Sequence, residues 1–464
     1  MLVDSTQKFF LSSDASKVLT DLSALQGYVK EKAFIATQGP REETIGDFWR
    51  LVWQKNISCI IMLCNLTEAQ TMKCAQYWPA VNTSAHHKDE LLVRTDNEEA
   101  FLDYAVRNFT VTRGNASRTV TQLHYTAWPD HGVPRYAHSL ASVLRQVPLD
   151  GSAPILVHCS AGVGRTGTVI LALAGFAMGQ AEGVVDMLAL LANMRSQRPN
   201  MVDNATQYET AHRVLLELNT LPGCEQPIKN FHATFRSLQG LGILQTQFWD
   251  LSDACRRDIL KSNDQYWPKD KNRFPDIVPG TEGRVLLERA GCSYINAVYV
   301  DGLRSRDRFV VTQLPLTNTL GDFWLMVWQR EAKMVVVLNV PEPTFYLKRS
   351  KESREVSVLS VNHWRAGELT PHHPDSLVKL WSEMEGAPGT IVLACHDGAT
   401  ASGLMVSAAL MLEHLHAAGI VDVASAVRRA RRTRPQFITS LTQYEFLHTV
   451  ALAEIENMDV YVNV

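Results

Sequence analysis

The chain contains an imperfect internal repeat, and this repeat constrains the fold more than any other feature of the sequence. The tetrapeptide Gly46-Asp47-Phe48-Trp49 returns 275 residues later as Gly321-Asp322-Phe323-Trp324. Cys159 returns as Cys395, only 236 residues later. A sequence that repeats in this way encodes two copies of one folded unit. Because the two offsets differ by 39 residues, the second copy is shortened in its middle.

Length and composition agree with two globular domains. A chain of 464 residues exceeds the size of one ordinary hydrophobic core. Its 46% hydrophobic and 20% charged residues are typical of a folded protein. We predict a first domain over residues 1–222, a linker containing Pro and Gly over 223–229, a second domain over 230–455 and a tail over 456–464. The formal net charge of −3 gives no reason to expect nucleic acid as a partner.

The cysteines and the apolar runs indicate an intracellular chain. Eight cysteines are scattered along it without a Cys-x-x-Cys pair. This pattern favours reduced thiols in the cytosol over a disulfide framework or a zinc site. No run of about 18 apolar residues occurs, and the N-terminus lacks a signal-peptide pattern. We therefore expect a cytoplasmic localisation, no metal and no transmembrane segment in this chain.

The segment from Pro154 to Gly167 carries the clearest chemical pattern. Its apolar start predicts a short buried strand, and residues 168–174 have helical propensity, so the loop between them opens a helix. The first amides of a helix and a nest of loop N–H groups bind anions such as phosphate. Gly162 and Gly164 permit the backbone turns that such a nest requires. We call residues 159–165 the anion loop.

Two side chains of the anion loop suggest that it reacts with the bound anion as well as binding it. Cys159 lies beside the positive field of the helix start, which favours its thiolate, a nucleophile, at neutral pH. Arg165 supplies a planar fork suited to two phosphate oxygens. A buried structural cysteine would leave His158, the glycines and Arg165 unexplained. A nucleotide-binding loop would need a Gly-Lys-Ser/Thr ending, which is absent here.

The decapeptide His158-Cys159-Ser160-Ala161-Gly162-Val163-Gly164-Arg165-Thr166-Gly167 resembles, residue for residue, the signature loop of the classical protein tyrosine phosphatases. From about Tyr28 onward, the repeated chain resembles the tandem-domain, receptor-type members of that family. The resemblance implies an α/β (α+β) fold with two tandem tyrosine-phosphatase-like domains, each a twisted mixed sheet flanked by helices. The alternation of polar and apolar residues over 91–126 separately predicts antiparallel strands.

The resemblance also implies roles for residues of the first domain. Cys159 is the nucleophile, Arg165 binds the phosphate, and Asp130 in the lid loop (residues 127–134) donates the proton. The implied substrate-binding residues are Ser160, Ala161, Gly162, Val163, Gly164 and Gln207. The implied supporting residues are His158, which orders the anion loop through hydrogen bonds, and Glu68, Lys73, Thr166, Trp128 and Asp203. The implied chemistry needs no metal and no organic cofactor.

The first domain departs from the family pattern at two places. Asp203 stands where the family has a glutamine that positions the hydrolytic water. An aspartate can place a water too, but its charge repels a phosphate dianion, so we expect weaker turnover. Residues 1–27 match the family poorly and the Lys-Asn-Arg-Tyr pocket loop is missing. We therefore expect the N-terminal part of this domain to be truncated or replaced.

The second domain has lost three parts of the reaction site. Ala401 replaces the phosphate-binding arginine, Asp397 enters the second anion loop (residues 395–401), and Ala366 stands at the place of the acid. The segment that would match Glu68 falls within the 39-residue shortfall. The domain is therefore predicted to be a pseudophosphatase, with Cys395 either a relic or a redox-sensitive thiol.

The strongest charge run is the arginine-rich segment 428–434. We interpret it as a solvated helix end, where cations complement the helix dipole. Binding of an acidic partner or an anionic lipid headgroup is the alternative interpretation.

Together these patterns predict a protein tyrosine phosphatase that acts on phosphotyrosyl proteins through a phosphocysteine intermediate. Interdomain or protein partners are expected for the second domain. If the parent protein is a receptor, the chain lies at the cytosolic face of the membrane. Two alternatives remain open: a catalytically weak or dead scaffold that binds partner proteins, and a phosphatase of phosphoserine or phosphoinositides.

Overall fold

The computed structural model describes residues 23–25, 32–149, 151, 153–221, 224–259, 267–280, 283–339, 354–361 and 363–462. The chain divides into two compact units, Met1–Asn219 and Thr220–Val464. Each unit combines one large mixed sheet with helices, so the predicted α/β class is confirmed. Among the described residues, no helix is both long enough and apolar enough to cross a membrane.

The first unit is built on an eight-stranded sheet. In spatial order its strands are β1 Ser23–Leu25, β2 Phe34–Gln38, β10 Ile155–Cys159, β3 Cys59–Met62, β9 Ala116–Tyr125, β8 Tyr104–Arg113, β7 Leu91–Ala100 and β6 Ser84–His87. A short hairpin pairs β4 Thr67–Glu68 with β5 Thr71–Met72. The helices are α1 Ile45–Gln54, α2 Ala137–Leu144, α3 Gly164–Glu182, α4 Met187–Gln197 and α5 Ala205–Asn219.

The central strands of this sheet are parallel, and this arrangement positions the anion loop. Strands β2, β10, β3 and β9 run in one direction, and β10 lies between β2 and β3. β3 and β10 are apolar and wholly buried, as expected of strands covered on both faces. Ligands of such sheets bind beyond the carboxyl ends of the strands. Cys159 ends β10 at that edge, beside Gln38 of β2.

The second unit repeats the central pattern in a six-stranded sheet. In spatial order its strands are β12 Arg284–Leu286, β13 Tyr294–Val300, β14 Phe309–Gln313, β17 Ile391–Cys395, β15 Met334–Val337 and β16 Ser357–Ser360. Cys395 pairs with Gln313, just as Cys159 pairs with Gln38. The sequence repeat is therefore also a repeat of strand register.

The remaining elements of the second unit fall partly outside the predicted domain limits. Its helices are α6 Ile228–Gly240, α7 Ile243–Ile259, α8 Leu320–Gln329, α9 Asp375–Glu385, α10 Thr400–Ala418, α11 Val423–Arg431 and α12 Leu441–Val462. The predicted linker 223–229 contains β11 Gln226–Pro227, which pairs with β18 Ile420–Val421, and the first two residues of α6. The predicted tail from residue 456 continues α12.

Three arginines of the segment 428–434 are buried, so the prediction of a solvated run is wrong for them. Arg428, Arg431 and Arg434 are 5%, 6% and 0% exposed. The Arg431 Nε donates to the main-chain oxygen of Phe437 at 2.8 Å. A guanidinium carries several donors, so it can be buried where carbonyls converge on it. Arg431 therefore links the end of α11 to the main chain at Phe437 inside the second unit.

Candidate active site

The sulfur of Cys159 lies at the start of the anion loop and accepts two hydrogen bonds. The main-chain N–H of Gly162 lies 3.3 Å from Sγ, and the Thr166 hydroxyl lies 3.2 Å from it. The residue is 5% exposed. Donors aimed at a sulfur stabilise negative charge on it. The surroundings thus suit a thiolate nucleophile.

Glycine is required at position 162 because of the close approach of β2. Gly162 has φ +70°, and a Cβ there would lie 2.3 Å from the main-chain oxygen of Thr37. Only a residue without a side chain tolerates both the left-handed backbone and that contact. The residues on either side of it face outward, since Ser160 and Ala161 are exposed and Val163 is half-buried.

Arg165 is held by a bidentate ion pair with Glu68. Its Nη1 and Nη2 lie 2.7 and 2.8 Å from the two carboxylate oxygens of Glu68. Nη1 also donates to the Leu63 oxygen at 3.0 Å. Burial alone would lower the pKa of Arg165, but the hydrogen bonds and charge of Glu68 outweigh it and raise the pKa above its ordinary value. The fork is therefore charged and fixed in orientation.

The lid loop lies in contact with the same guanidinium. Arg165 Nη2 donates to the main-chain oxygens of Pro129 and Asp130 at 3.1 and 3.3 Å. Trp128 is 1% exposed, and its Nε1 donates to the Gly132 oxygen at 3.1 Å. The lid is thus anchored by a buried ring and touches the anion loop through Arg165.

The Asp130 carboxylate is paired with Lys73, which follows strand β5. Oδ1 lies 3.0 Å from the Lys73 ammonium. The hydrogen bond from Lys73 lowers the pKa of Asp130 below its ordinary value. In this arrangement Asp130 is ionised, and the hairpin β4–β5 supplies both Glu68 for the arginine and, at its end, Lys73 for the lid.

His158 is fully buried behind the nucleophile. Its Nε2 lies 3.0 Å from the Tyr77 hydroxyl and its Nδ1 lies 3.3 Å from the main-chain oxygen of Cys159. Burial lowers the pKa of His158 to about 3, so the ring is neutral. Sequence reasoning missed Tyr77, which the motif Cys74-Ala75-Gln76-Tyr77-Trp78 contains but does not mark as a partner of His158.

Gln207 and Asp203 lie against the N-terminus of α3. A Cβ on Gly164 would lie 3.0 Å from both amide atoms of Gln207 and 3.2 Å from Cβ of Asp203. The main-chain N–H of Asp203 donates to Gln207 Oε1 at 2.9 Å. Gln207 is 8% exposed, whereas Asp203 is exposed. A carboxylate therefore stands at the open side of the anion loop.

Arg198 is a second residue in contact with the anion loop that sequence reasoning missed. Its Nε donates to the Gly162 oxygen at 3.0 Å. In the second unit, Arg434 donates to the Gly398 oxygen at 2.7 Å. The repeat of Arg198-Pro199 as Arg434-Pro435 was the available signal, because a residue kept in both copies at one register performs a task common to both loops.

The second anion loop is filled by its own carboxylate. Asp397 Oδ1 accepts the main-chain N–H groups of Ala399 and Thr400, each at 2.9 Å, and the Cys395 thiol at 3.1 Å. Burial, with the nearby charge of Asp397, raises the pKa of Cys395 to about 11. The helix amides that would bind a phosphate are thus already occupied, and Cys395 is a neutral thiol.

Two other predicted features of the second unit, Ala401 and Ala366, lie within the described residues. Ala401 is buried at the arginine position. Ala366 lies in a lid-like turn in which Trp364 Nε1 donates to the Glu368 oxygen at 3.1 Å. The residues that follow β15, 340–353, lie outside the described residues. Within the described part of the chain, no group of three or more His, Cys, Asp or Glu side chains is placed to hold a metal ion.

Comparison with known proteins agrees with this geometry. The sequence profile described as protein-tyrosine phosphatase matches residues 11–217, 268–344 and 342–453. Receptor-type tyrosine-protein phosphatase S of Gallus gallus is 31% identical over 94% of this chain, and phosphatase F of Homo sapiens is 31% identical over 94%. Receptor-type tyrosine-protein phosphatase epsilon of Homo sapiens is 30% identical over 95%.

The chain spans different shares of these relatives. It covers 33% of phosphatase S, 26% of phosphatase F and 72% of phosphatase epsilon. In each of them the match extends over nearly the whole of this chain, so both copies of the repeat are included.

Proposed function

This chain belongs to the protein-tyrosine phosphatase family, and from that premise we propose that its first unit hydrolyses phosphotyrosyl side chains of proteins while its second unit performs no chemistry. The observation that carries the proposal is the guanidinium of Arg165, which contacts both the Glu68 carboxylate and the lid carbonyls. That contact holds the lid, which carries Asp130, against the loop that carries Cys159, and so supports the proposal.

In the first step the Cys159 thiolate attacks the phosphorus atom. The P–S bond forms as the bond from phosphorus to the phenolic oxygen breaks, and the main-chain amides of residues 160–164 with Arg165 hold the three equatorial oxygens. Protonated Asp130 donates its proton to the departing phenolate. The product is tyrosine and a phosphocysteine.

Asp130 must gain a proton before that step. Lys73 favours the carboxylate in the free protein, since its hydrogen bond lowers the pKa of Asp130. A phosphate dianion in the anion loop acts in the opposite direction, because a like charge raises the pKa of a neighbouring carboxyl. Substrate binding therefore favours the acid form.

In the second step a water hydrolyses the phosphocysteine. Asp130, now ionised, takes a proton from the water as its oxygen attacks phosphorus, and the Cys159 thiolate leaves. Gln207 and Asp203 lie next to the start of α3, where that water approaches. The charge of Asp203 repels the phosphate and slows turnover relative to a neutral amide.

We further propose a place for the chain in the cell. The relatives are named receptor-type, so we place this chain at the cytosolic face of a membrane, acting on phosphotyrosyl proteins there. The second unit, its anion loop filled by Asp397, serves as a regulatory or partner-binding domain.

The test is hydrolysis of a phosphotyrosine peptide and of a small aryl phosphate by the purified 464-residue chain. Cys159→Ser should abolish turnover of both substrates. Cys395→Ser, the same change in the other copy, should leave turnover at the wild-type level. Turnover that survives Cys159→Ser, or that falls equally in both variants, would contradict the proposal.

A scaffold that binds phosphotyrosine with little hydrolysis is the second candidate, and the position of Asp203 favours it. A folded wild-type chain that binds a phosphotyrosine peptide but hydrolyses neither substrate would establish this alternative.

A further inference from the structure

A row of polar side chains crosses the first unit from its surface to the nucleophile. Register aligns its outer members, since Glu98 of β7 pairs with Arg107 of β8, and Arg107 pairs with Gln122 of β9. Arg107 Nε donates to Glu98 Oε2 at 2.7 Å, and its Nη1 donates to Gln122 Oε1 at 2.9 Å. Gln122 Nε2 then donates to the Tyr77 hydroxyl at 2.6 Å.

These groups are buried together. Gln122 and His158 are 0% exposed, Tyr77 is 2% exposed and Arg107 is 8% exposed. The Arg107 guanidinium lies 4.4 Å from the centre of the Trp78 ring. Hydrogen bonds in a dry interior are strong, and an unmade one there is costly. The row therefore has little freedom to rearrange.

The direction of every hydrogen bond in the row follows from its two ends. Arg107 carries only donors, so Gln122 must present its oxygen to Arg107 and its NH₂ to Tyr77. At the other end the Cys159 oxygen carries only lone pairs, so the neutral His158 ring must carry its proton on Nδ1. Nε2 is then an acceptor for the Tyr77 hydroxyl, for which the Met62 sulfur at 3.9 Å is a weaker alternative.

The last hydrogen bond acts on the anion loop itself. The Cys159 carbonyl and the Ser160 N–H belong to one planar peptide unit and point in opposite directions. A donor that binds the carbonyl on the interior side of this peptide therefore directs the Ser160 N–H toward the phosphate site in the anion loop. That amide is one of those assigned above to the phosphate.

We propose that Gln122, held by Arg107, is a positioning residue: it orders the hydrogen bonds through Tyr77 and His158, and so orients the peptide between Cys159 and Ser160. This inference rests on the proposed function of the first unit. Gln122 contacts neither substrate nor sulfur, so its effect reaches the reaction only through the row.

Gln122→Glu tests the proposal because it keeps the shape and reverses one hydrogen bond. A carboxylate still accepts from Arg107 but draws the Tyr77 proton to itself, so Tyr77 no longer donates to His158. The neutral His158 ring then carries its one proton on Nε2 and no longer donates from Nδ1 to the Cys159 oxygen. The readout is the rate of iodoacetate alkylation of Cys159 against pH, followed by peptide mass spectrometry. We expect the midpoint to rise, because the Gly162 N–H that lies 3.3 Å from the sulfur belongs to the same loop and loses its alignment with it.

Two variants separate positioning from general damage. Tyr77→Phe breaks the row at the next atom, so adding Gln122→Glu to Tyr77→Phe should produce no further shift. Gln247→Glu is the matched control, since Gln247 is a buried amide that accepts from the Tyr444 hydroxyl in the second unit. It should leave the midpoint at the wild-type value.

A wild-type midpoint in folded Gln122→Glu, or additive shifts in the double variant, would overturn the proposal. If Gln122→Glu does not fold, ¹⁵N NMR of the wild-type histidines decides, because the proposal requires the Nδ1–H tautomer of His158 and the Nε2–H tautomer overturns it. Both readouts are independent of turnover. A wild-type chain without turnover but with the predicted tautomer would contradict the proposed function alone.

Discussion

Asp203 is the residue whose charge most directly opposes the proposed reaction. It is exposed at the N-terminus of α3, next to Gln207 and the anion loop. Removing about 1 kcal/mol of repulsion from a bound dianion corresponds to about a fivefold faster reaction. We therefore expect Asp203→Gln to raise kcat/KM about fivefold, measured by steady-state hydrolysis of an aryl phosphate.

The control for this substitution makes the same change of charge far from the site. Glu182 is exposed at the opposite end of α3, about 27 Å along the helix axis. Glu182→Gln should leave kcat/KM unchanged. An Asp203→Gln protein with a lower kcat than wild type would show instead that the carboxylate assists the hydrolytic water.

Individual residues differ in how far the sequence predicts them. Cys159 and Arg165 belong to one continuous loop, so their neighbourhood follows from spacing alone, and the structure places both there. Tyr77, Gln122 and Arg107 lie on separate segments. Their contact depends on strand register, which a local pattern does not contain.

At the scale of elements, the hairpin β4–β5 is the unit that couples the two loops of the site. Glu68 on β4 fixes Arg165, and Lys73 just beyond β5 holds Asp130. The resemblance implied that both residues support the reaction. The structure adds that Glu68 pairs with a cation, Arg165, whereas Lys73 pairs with an anion, Asp130, because the lid contacts the end of the hairpin.

Lys73→Met should shift the pH dependence of the reaction. Asp130 must be protonated for the first step, so kcat/KM falls as pH rises through the pKa of Asp130. Lys73 lowers that pKa, and its removal therefore raises it. The falling limb of the pH–kcat/KM profile should move to higher pH.

Lys55→Met is the matched control for this shift. Lys55 is exposed at the C-terminal cap of α1, before β3 and so at the edge of the sheet opposite to the anion loop. Its profile should coincide with that of wild type. A falling limb that stays in place in Lys73→Met, or moves to lower pH, would refute the assigned role of the ion pair.

The lid turn keeps the same internal hydrogen bond in both units although its side chains differ. In both units a buried tryptophan donates to a main-chain oxygen four residues later, at 3.1 Å. The first turn carries Asp130, whereas the second carries Ala366. The tryptophan contact therefore occurs in both turns, with or without the carboxylate.

At the scale of the whole molecule, one fold occurs twice, and only the first copy carries an arginine and an aspartate at the positions of Arg165 and Asp130. The sequence repeat predicted this organisation, and the pairing of Cys159 with Gln38 and of Cys395 with Gln313 matches it in register. The predicted exposure of the charge run 428–434 is wrong for its buried arginines, because burial of an arginine depends on which carbonyls the fold brings close to it. Composition carries no such information.

The central claim is that catalysis passes through a phosphate on Cys159 and on no other cysteine. Asp130→Asn should make that intermediate accumulate when the substrate is an aryl phosphate with a good leaving group. Departure of such a phenolate needs no acid, whereas hydrolysis of the phosphocysteine lacks its base. The direct measurement is rapid quenching of this variant followed by peptide mass spectrometry. We predict phosphate on the Cys159 peptide, at most one per chain, and none on the Cys395 peptide. Phosphate on Cys395, or an unmodified Cys159 in an Asp130→Asn chain that still releases the phenol, would contradict the account.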